Sequence, residues 1–164
     1  MTIDQFPADE WNGILDVDLN GVYLVSRAAS RVMRDRGAGK IINIASVHGL
    51  VPARLQCAYV AAKSGVVNLT KAMAIELGAD GVLVNAITPG SVLTDMTRKL
   101  FYSDDGMSQD SAQRLLDHIP LCRPAEVHEI AHASLFLATP ESSYINGHVL
   151  TVDGGWTAGY SRDF

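Results

Sequence analysis

Apolar side chains recur at helical spacing in the first part of the chain. Between Asp9 and Arg36 they fall at steps of three, four and seven residues, the spacing of one helix face. Pro7 precedes this segment and Gly37-Ala38-Gly39 follows it, and residues of these types commonly begin and end helices. The pattern predicts a helix over 9–36 whose apolar face contains Trp11, Ile14, Leu15, Leu19, Val22 and Ala29.

Three short runs are rich in β-branched and aliphatic residues, without the alternation of a half-exposed strand. They lie at Lys40–Ala45, Val82–Ile87 and Val149–Val152. Such runs are typical of strands that are buried on both faces of a parallel sheet. Helices predicted over 56–77 and 124–138 separate them, so helices alternate with strands along the chain. The pattern predicts an α/β fold, a doubly wound parallel sheet with flanking helices.

The segments after the first two predicted strands are candidates for the functional site. In a parallel α/β sheet, ligands bind beyond the carboxyl ends of the strands. The loop at 46–57 follows the first strand, and the segment at 88–120 follows the second. Residues 91–124 are mostly polar, which predicts an irregular segment with one or two short helices. We therefore expect the site to lie between these two segments.

Composition narrows the class of protein. The chain has 164 residues, a length typical of one domain, with 48% hydrophobic and 19% charged residues. Its net charge of -5 argues against nucleic acid or an acidic membrane surface as the main partner. We expect neither a signal peptide nor a transmembrane helix, because no apolar run is long enough. Cys57 and Cys122 form no CxxC motif, which favours a reduced cytoplasmic protein.

A tyrosine and a lysine stand four residues apart in the helix predicted over 56–77. At that spacing Tyr59 and Lys63 share one helix face. A free tyrosine has a pKa near ~10, and a neighbouring ammonium favours the phenolate, so the pair is a candidate general acid and base. A solvated helix face would contain the same residue types. Ser46 ends the first predicted strand, where its hydroxyl can reach a ligand or form a turn hydrogen bond.

The spacing Ser46-x12-Tyr59-x3-Lys63 resembles the catalytic motif of the short-chain dehydrogenase/reductase family. Asn43-Ile44-Ala45-Ser46 is similar to the strand that ends in the catalytic serine, and Asn85-Ala86-Ile87-Thr88-Pro89-Gly90 is similar to the family's Asn-Ala-x-x-Pro-Gly segment. Thr94 follows at the spacing at which members contact the nicotinamide carboxamide and the phosphates. Further matches are Arg123-Pro124, Glu129-Ile130-Ala131, Phe136-Leu137-Ala138 and Val152-Asp153-Gly154-Gly155-Trp156.

The resemblance implies an oxidoreductase that interconverts a secondary alcohol and a ketone with NAD or NADP. Tyr59 would give a proton to the carbonyl oxygen in reduction or take it from the alcohol in oxidation. Ser46 would hydrogen-bond that oxygen. Lys63 would favour the tyrosinate and hold the nicotinamide ribose, and the hydride belongs to the cofactor. The residues expected to bind the cofactor are Tyr59, Lys63, Pro89, Gly90 and Thr94.

The Gly-rich segments of the family pattern are absent from this sequence. Members open with Thr-Gly-x-x-x-Gly-x-Gly and later carry Asn-Asn-Ala-Gly, and neither motif occurs here. We therefore expect 1–164 to be the C-terminal part of a single domain of this family. Its fold would be a partial Rossmann-like sheet with three remaining parallel strands. The alternative is a truncated inactive fragment, or a complementation partner that does not bind the cofactor by itself.

Asp18 is a second departure from the family pattern. It stands where many members carry an asparagine that helps to hold a relay water, so it joins the catalytic candidates. If the relay uses the backbone carbonyl, an aspartate suffices, whereas a relay through the amide donor would fail. Asn20, two residues further, is expected to point elsewhere on the helix. The choice between NAD and NADP is made after the second strand of the full fold, so this sequence leaves it open.

His128-Glu129-Ile130-Ala131-His132 matches HExxH, the helix motif of zinc proteases. Two histidines one turn apart could bind Zn²⁺, with Glu129 as the base. The same stretch also matches the dehydrogenase helix, which needs no metal, and we expect no metal site. Val127, Ile130, Ala131 and Ser134 are expected to face inward, with His128 and His132 at the rim. His48 and His118 lie in the expected substrate loops, where loop hydrogen bonds are their simplest role.

The substrate and the assembly are open at this stage. The 95–122 segment is expected to be a substrate lid. The tail after Trp156 resembles sugar- and polyol-active members, and ketoacyl reduction is an alternative. The resemblance also implies a homo-oligomer through the helices at 9–36 and 56–77, with a small alcohol or ketone as the substrate. Possible wall residues of the lid are Met96, Leu100, Phe101, Tyr102 and Met107.

Overall fold

The computed structural model describes residues 1–102 and 113–159, which form an α/β structure. Its α-helices are α1 (Ala8–Leu15), α2 (Gly21–Arg36), α3 (Cys57–Leu77), α4 (Arg98–Tyr102) and α5 (Val127–Ala138). Its strands are β1 (Gly39–Ile44), β2 (Val82–Pro89), β3 (Val92–Leu93), β4 (Ala125–Glu126) and β5 (Val149–Val152).

The main sheet has the strand order β1-β2-β5, and both pairs of neighbours are parallel. Ile41 pairs with Val84 between β1 and β2, and Ala86 pairs with Val149 between β2 and β5. This confirms the predicted α/β fold with three parallel strands and flanking helices. Parallel pairing brings the carboxyl ends of all three strands to the same edge of the sheet, where the expected site lies.

The first helix extends as far as its apolar pattern predicts, but it is not regular. Between α1 and α2 the residues Asp16–Asn20 form a π-helical turn. Asn20 Nδ2 donates a hydrogen bond to Asp16 Oδ1 at 2.7 Å within this turn. Gly37 then ends α2 in the left-handed conformation, with φ at 65°. Such π-turns are rare and occur frequently at functional sites, so this one directs attention to Asp18.

Helix α3 covers one face of the sheet and forms the core with it. Burial of these aliphatic side chains is the main favourable contribution to folding. A second cluster lies nearer the site, where Ala45 packs against Val66 and Val67 of α3. The larger cluster consists of Ile41, Met73, Ala74, Leu77, Val82 and Val84, with Met33 and Leu69 packed against it.

A buried polar network links three elements beside this core. Asn43 of β1 donates from Nδ2 to Thr70 Oγ1 at 2.9 Å, and the Thr70 hydroxyl donates to the Val66 carbonyl at 2.8 Å. Ser26 of α2 donates to Asn43 Oδ1 at 3.5 Å. Because buried polar groups are costly without partners, this network favours one arrangement of α2, β1 and α3.

Two details differ from the predictions. The short strand β3, in the segment expected to be irregular, pairs in parallel with β4, which occupies the first residues of the helix predicted over 124–138. Two-residue strands carry too little pattern to be predicted. In α5, Val127 is 56% exposed and Ala131 is also exposed, so the prediction that both face inward is wrong. Residues 130, 134 and 137 share one helix face at steps of four and three, and this face turns inward, ending at the buried Leu137.

Strand β1 is an edge strand of the described sheet, with β2 as its neighbour there. Ile44 at its carboxyl end is 46% exposed, as expected for an apolar strand without a second neighbour. Within 1–102 and 113–159, no helix is both long and apolar enough to cross a bilayer.

Candidate active site

Ser46 follows β1 at the carboxyl edge of the sheet. Its side chain is buried, and its Oγ accepts a hydrogen bond from the backbone N–H of His48 at 3.2 Å. The carbonyl of Ser46 accepts from the N–H of Gly49 at 2.9 Å, which closes a 3₁₀ turn at Val47–Gly49. The turn therefore fixes both the backbone and the hydroxyl of Ser46.

Tyr59 and Lys63 lie at the start of α3, one helical turn apart, as the sequence predicts. The Lys63 ammonium is 5.5 Å from the centroid of the Tyr59 ring. The side chain of Lys63 is 12% exposed, so its charge is largely removed from water. The structure therefore places a largely buried positive charge beside the phenol ring of Tyr59.

Asp18 contacts the lysine directly. Its Oδ1 lies 3.0 Å from Lys63 Nζ, in an ion pair whose acidic side chain is 27% exposed. The carboxylate comes from the π-helical turn Asp16–Asn20, whereas Asn20 hydrogen-bonds within the turn to Asp16. The structure thus brings Asp18 to the lysine, a contact that the sequence did not predict. It leaves Asn20 in a separate interaction, as expected from the sequence.

A cavity of about 570 Å³ opens at this edge of the sheet. Ser46 and Tyr59 both line it, and its volume is within the usual range for a small-molecule site. The described lining is mostly apolar, with few polar groups. It consists of Phe6, Ile14, Ser46, Val47, His48, Leu55, Gln56, Ala58, Tyr59, Gly90, Ser91, Met96, Thr97, Leu115 and Trp156.

His48 lies between two aromatic rings in the cavity wall. Its ring is perpendicular to that of Tyr59, with centroids 6.3 Å apart, and to that of Trp156, with centroids 5.5 Å apart. Its Nδ1 is 3.4 Å from the carbonyl oxygen of Val51. The loop hydrogen bond expected for His48 is therefore present, and the residue also belongs to the cavity wall.

Trp156 is held in the wall by an aspartate in the turn after β5. Asp153 accepts from the N–H of Gly155 at 2.9 Å and from the N–H and hydroxyl of Thr157 at 2.8 and 2.7 Å. Burial opposes ionisation, but the hydrogen bonds from Thr157 and Gly155 outweigh it and hold the pKa of Asp153 below its ordinary value. Gly154, at a φ of 67°, also packs closely on Ile119.

The loop before α3 contains a backbone outlier at the cavity. Leu55 has a φ of 66°, a conformation that costs of order 1–2 kcal/mol for a side chain of this type. Leu55 and the following Gln56 both line the cavity. Neither Leu55, Gln56 nor Trp156 was assigned to the site from sequence, because positive φ and the closure of a distant turn leave no periodic pattern.

The expected cofactor residues at the end of β2 are only partly gathered at the cavity. The N–H of Gly90 donates to the Val152 carbonyl at 3.0 Å, and Gly90 lines the cavity. A Cβ at Gly90 would lie 2.9 Å from the Cα of Asp153, so only glycine fits there. Pro89 ends β2 beside it, whereas Thr94 is exposed and its hydroxyl pairs with Thr97 at 3.0 Å.

The donor groups in the site fit the nicotinamide end of a dinucleotide. The ammonium of Lys63 has three donors, and in the described structure its polar contact is with Asp18. The Tyr59 hydroxyl has no hydrogen-bond partner among the described residues. A ribose hydroxyl can use the remaining donors of the lysine and the phenol. Neither Lys63 nor Tyr59 accounts for binding of the pyrophosphate of a dinucleotide.

The expected lid lies partly outside the described residues. Met107 falls in 103–112, and the side chains of Leu100 and Tyr102 are likewise not described. Met96 does line the cavity, whereas Phe101 is not among the lining residues. His118 donates a hydrogen bond from Nδ1 to the Arg114 carbonyl at 2.6 Å and does not line the cavity.

The HExxH segment has a structural role for its glutamate. Glu129 binds Arg123 through two contacts of 2.7 and 2.8 Å and accepts from the N–H of Glu126 at 2.8 Å. The hydrogen bond from Arg123 is the main reason why the pKa of Glu129 falls to about 2. The carboxylate of Glu129 caps α5, and both of its oxygens already accept hydrogen bonds, so it is not placed to act as a base. No cluster of three or more metal-ligating side chains occurs among residues 1–102 and 113–159.

Comparisons of the sequence with known proteins identify relatives of the chain. Residues 1–157 match the family model described as enoyl-(acyl carrier protein) reductase. The chain is 42% identical over 147 residues to a 3-oxoacyl-[acyl-carrier-protein] reductase of Vibrio harveyi, covering 90% of this chain and 57% of that protein. It is 37% identical over 161 residues to a D-beta-hydroxybutyrate dehydrogenase of Rhizobium meliloti, covering 95% of this chain and 62% of that protein.

Solved structures extend the similarity to three dimensions. A gluconate 5-dehydrogenase from Burkholderia cenocepacia, in complex with NADP and tartrate, superposes with a TM-score of 0.88 at 35% identity. The match covers 98% of this chain and 61% of that one. The chain thus spans less than two thirds of the length of these proteins.

Proposed function

Because the chain belongs to the short-chain dehydrogenase/reductase family, we propose that it carries the catalytic site of an oxidoreductase that interconverts a secondary alcohol and a ketone. The observation that supports this most is the grouping of three residues. Ser46 and Tyr59 line one cavity, and Lys63 lies behind the tyrosine ring. The proposed cofactor is NAD or NADP, since the solved relative binds NADP and the present residues leave the choice open.

In the proposed reduction, the substrate carbonyl lies between Ser46 and Tyr59. Its oxygen receives a proton from the Tyr59 hydroxyl while the carbonyl carbon gains a hydride. The Ser46 hydroxyl stabilises the negative charge that develops on that oxygen. In the direction of oxidation, the tyrosinate takes the alcohol proton and the carbinol carbon loses the hydride. The nicotinamide cofactor, when bound, supplies or accepts that hydride.

Lys63 and Asp18 are proposed to support the tyrosine. The ammonium favours the tyrosinate through its charge and, with Tyr59, holds the hydroxyls of the nicotinamide ribose. Asp18 fixes the position of the ammonium through the ion pair at 3.0 Å. In this proposal, the carboxylate of Asp18 occupies the position of the asparagine amide of many family members.

We propose that 1–164 is the C-terminal part of a single domain and that the remaining cofactor contacts come from a Gly-rich strand–helix–strand segment. Pro89, Gly90 and Thr94 would complete the nicotinamide end. The exposed edge of β1 at Ile44 supports this, because it is where another parallel strand could pair. The same edge favours a second candidate function, a fragment that acts only with a complementing segment.

Two forms of the protein test the proposal. One is the 164-residue chain itself, and the other is this chain extended at its N terminus by a Gly-rich strand–helix–strand segment, called here the extended protein. Both are assayed for reduction of NAD⁺ and NADP⁺ with a panel of secondary alcohols. The proposal expects turnover by the extended protein. Absence of turnover with every alcohol, in a folded protein that binds the cofactor, would contradict it.

A further inference from the structure

His128 and His132 lie one turn apart on the outer face of α5. Both side chains are exposed, and their ring centroids are 5.6 Å apart with an interplanar angle of 67°. Apart from this mutual contact, neither imidazole has a hydrogen-bond partner among the residues that the structure describes. Each neutral ring therefore keeps a nitrogen lone pair that is available to an external ligand. Neither residue is among the described lining residues of the cavity, so the alcohol chemistry does not use the pair.

The spacing of the two rings suits chelation of one metal ion. Helix residues that are four apart have neighbouring side chains, and imidazole nitrogens bind Zn²⁺ at about 2.0–2.1 Å. Rings whose centroids are 5.6 Å apart are close enough for one ion to contact a nitrogen of each ring. Imidazole ligands suit Cu²⁺, Ni²⁺ and Zn²⁺, whereas Ca²⁺ and Mg²⁺ prefer oxygen ligands.

The start of α5 is held in place, which matters because His128 lies in the first turn of the helix. The Glu126 side chain accepts a hydrogen bond from the backbone N–H of Glu129, and the Glu129 side chain accepts one from the backbone N–H of Glu126. Arg123 binds the Glu129 carboxylate through two contacts of 2.7 and 2.8 Å. These contacts oppose fraying of the first turn. The two histidines therefore keep their spacing, and chelation costs less conformational entropy.

The charges around the first turn of α5 permit a bound cation. A helix N-terminus disfavours positive charge through its dipole. Two carboxylates, those of Glu126 and Glu129, lie at this end of the helix, whereas Arg123 supplies one guanidinium. Because Arg123 binds both oxygens of Glu129, that carboxylate is not free to be a third ligand. Water would fill the remaining positions around an ion that the two imidazoles bind.

We propose that His128 and His132 chelate one divalent transition-metal ion on the surface of α5. The site has neither a free catalytic base nor a third protein ligand among the described residues, so it differs from a zinc-protease site. The bound ion links two successive turns of the helix. It stabilises the folded chain, because the helix brings the two rings together and the unfolded chain does not. The inference is independent of the proposed function.

Calorimetry of the metal-free 164-residue chain, without a histidine tag, tests the inference. The probe is Ni²⁺, titrated at mildly alkaline pH because ligation needs the neutral imidazole. One ion should bind per chain at the tightest site, and excess Ni²⁺ should raise the Tm. His128→Ala and His132→Ala should each lower the affinity at least about 10-fold, because a single ligand loses the advantage of linked binding. Absence of binding, or the parent affinity in both variants, would overturn the inference.

Two controls separate chelation from the mere number of histidines. His118→Gln removes a histidine whose Nδ1 already donates to the Arg114 carbonyl, and it should keep the parent affinity. Leu135→His combined with His132→Ala keeps two histidines on α5 but places them about two turns apart, too far to share one ion. Leu135 is 60% exposed, so this change is on the surface. The double variant should bind as weakly as His132→Ala, and parent affinity in it would contradict chelation.

NMR with Zn²⁺, which is diamagnetic, locates the bound ion in the parent chain. The imidazole signals of His128 and His132 should shift together as Zn²⁺ is added, whereas those of His118 should not. Shifts confined to other histidines would place the ion elsewhere and overturn the inference. Turnover of alcohols tests the proposed function separately, so the failure of one proposal leaves the other intact.

Discussion

At the scale of single residues, the ammonium of Lys63 has two neighbours that affect its role. The Lys63 nitrogen is 5.5 Å from the centroid of the Tyr59 ring and 3.0 Å from Oδ1 of Asp18. A carboxylate in contact offsets part of the positive charge of the ammonium, and it also holds the long lysine side chain in the site. Because both side chains are mostly buried, the positioning effect matters more here than for a surface pair.

Substitution of Asp18 separates charge from positioning. In the extended protein, Asp18→Asn should keep kcat within about 3-fold, because its amide oxygen still accepts from Lys63 at a modest cost in hydrogen-bond energy. Asp18→Ala should lower kcat by about 10-fold or more, since the ammonium loses its partner. Initial-rate measurements check this. Asp16→Ala is the control from the same π-turn, and equal rates for Asp18→Ala and the parent would remove Asp18 from the catalytic set.

The sequence points to the proposed reacting residues more directly than to the residues around them. Ser46, Tyr59 and Lys63 follow from helical spacing and from the end of a strand, both of which are local. Trp156 reaches the cavity through a turn that the hydrogen bonds to Asp153 fix. No periodic pattern in the sequence predicts that turn. The structure supplies that contact.

At the scale of elements, the Val47–Gly49 turn and helix α3 hold the site together. Ser64 of α3 donates to the Gly49 carbonyl at 3.2 Å. A Cβ at Gly49 would lie 2.7 Å from the carbonyl oxygen of Lys63, so the turn contacts the backbone of α3 at this lysine. The turn that carries Ser46 and His48 is therefore positioned by direct contact with the helix that carries Tyr59.

Gly49→Ala should disturb both stability and catalysis. The added methyl group forces the turn away from α3, and overpacking of this kind costs about 1–3 kcal/mol. We expect a lower Tm and, in the extended protein, a lower kcat. Gly13→Ala is the control, because a Cβ there meets nothing within 4 Å and alanine favours the helix by roughly 0.5–1 kcal/mol. An unchanged Tm and rate in Gly49→Ala would show that the contact does not position the site.

The elements differ in how far the sequence predicts them. The long apolar runs and the 3.6-residue period give the three main strands and helix α3 to within a few residues. The π-turn at Asp16–Asn20 was not predicted, since it keeps the helical direction and changes only the hydrogen-bond pattern. Tertiary contacts, not local preference, decide such features.

At the scale of the whole molecule, assembly stays a prediction. Several apolar side chains on α2 and α3 are exposed in the single chain, including Leu24, Val32 and Ile75. We predict self-association through the helices at 9–36 and 56–77, since apolar surface of this kind favours burial against a second copy.

Light scattering at micromolar concentration checks the assembly. We expect a dimer or larger oligomer for the parent chain, and Ile75→Glu together with Leu24→Glu should shift it toward the monomer by placing charges in the interface. Val127→Glu, which changes an exposed residue of α5 outside those helices, should leave the mass unchanged. A clean monomer for the parent chain would be evidence against this interface.

Cofactor affinity is the second property of the whole molecule. The residues proposed for the nicotinamide end are Tyr59, Lys63, Pro89, Gly90 and Thr94, and the family's Gly-rich pyrophosphate motif does not occur in this sequence. A helix N-terminus after such a turn contributes aligned N–H donors and a favourable dipole, which this chain cannot replace. Calorimetry with NAD⁺ and NADP⁺ should therefore give weak binding, in the millimolar range or beyond. A micromolar Kd would show that the described residues suffice.

The most direct test of the central claim is the rate of alcohol oxidation by the extended protein with Tyr59→Phe. The substitution removes only the hydroxyl proposed to transfer the proton, so kcat should fall by about 10²–10⁴-fold while calorimetry shows that cofactor binding persists. Tyr23→Phe, on the exposed side of α2, is the control and should react at the parent rate. Near-full activity of Tyr59→Phe would contradict the account, because the proton would then come from another group.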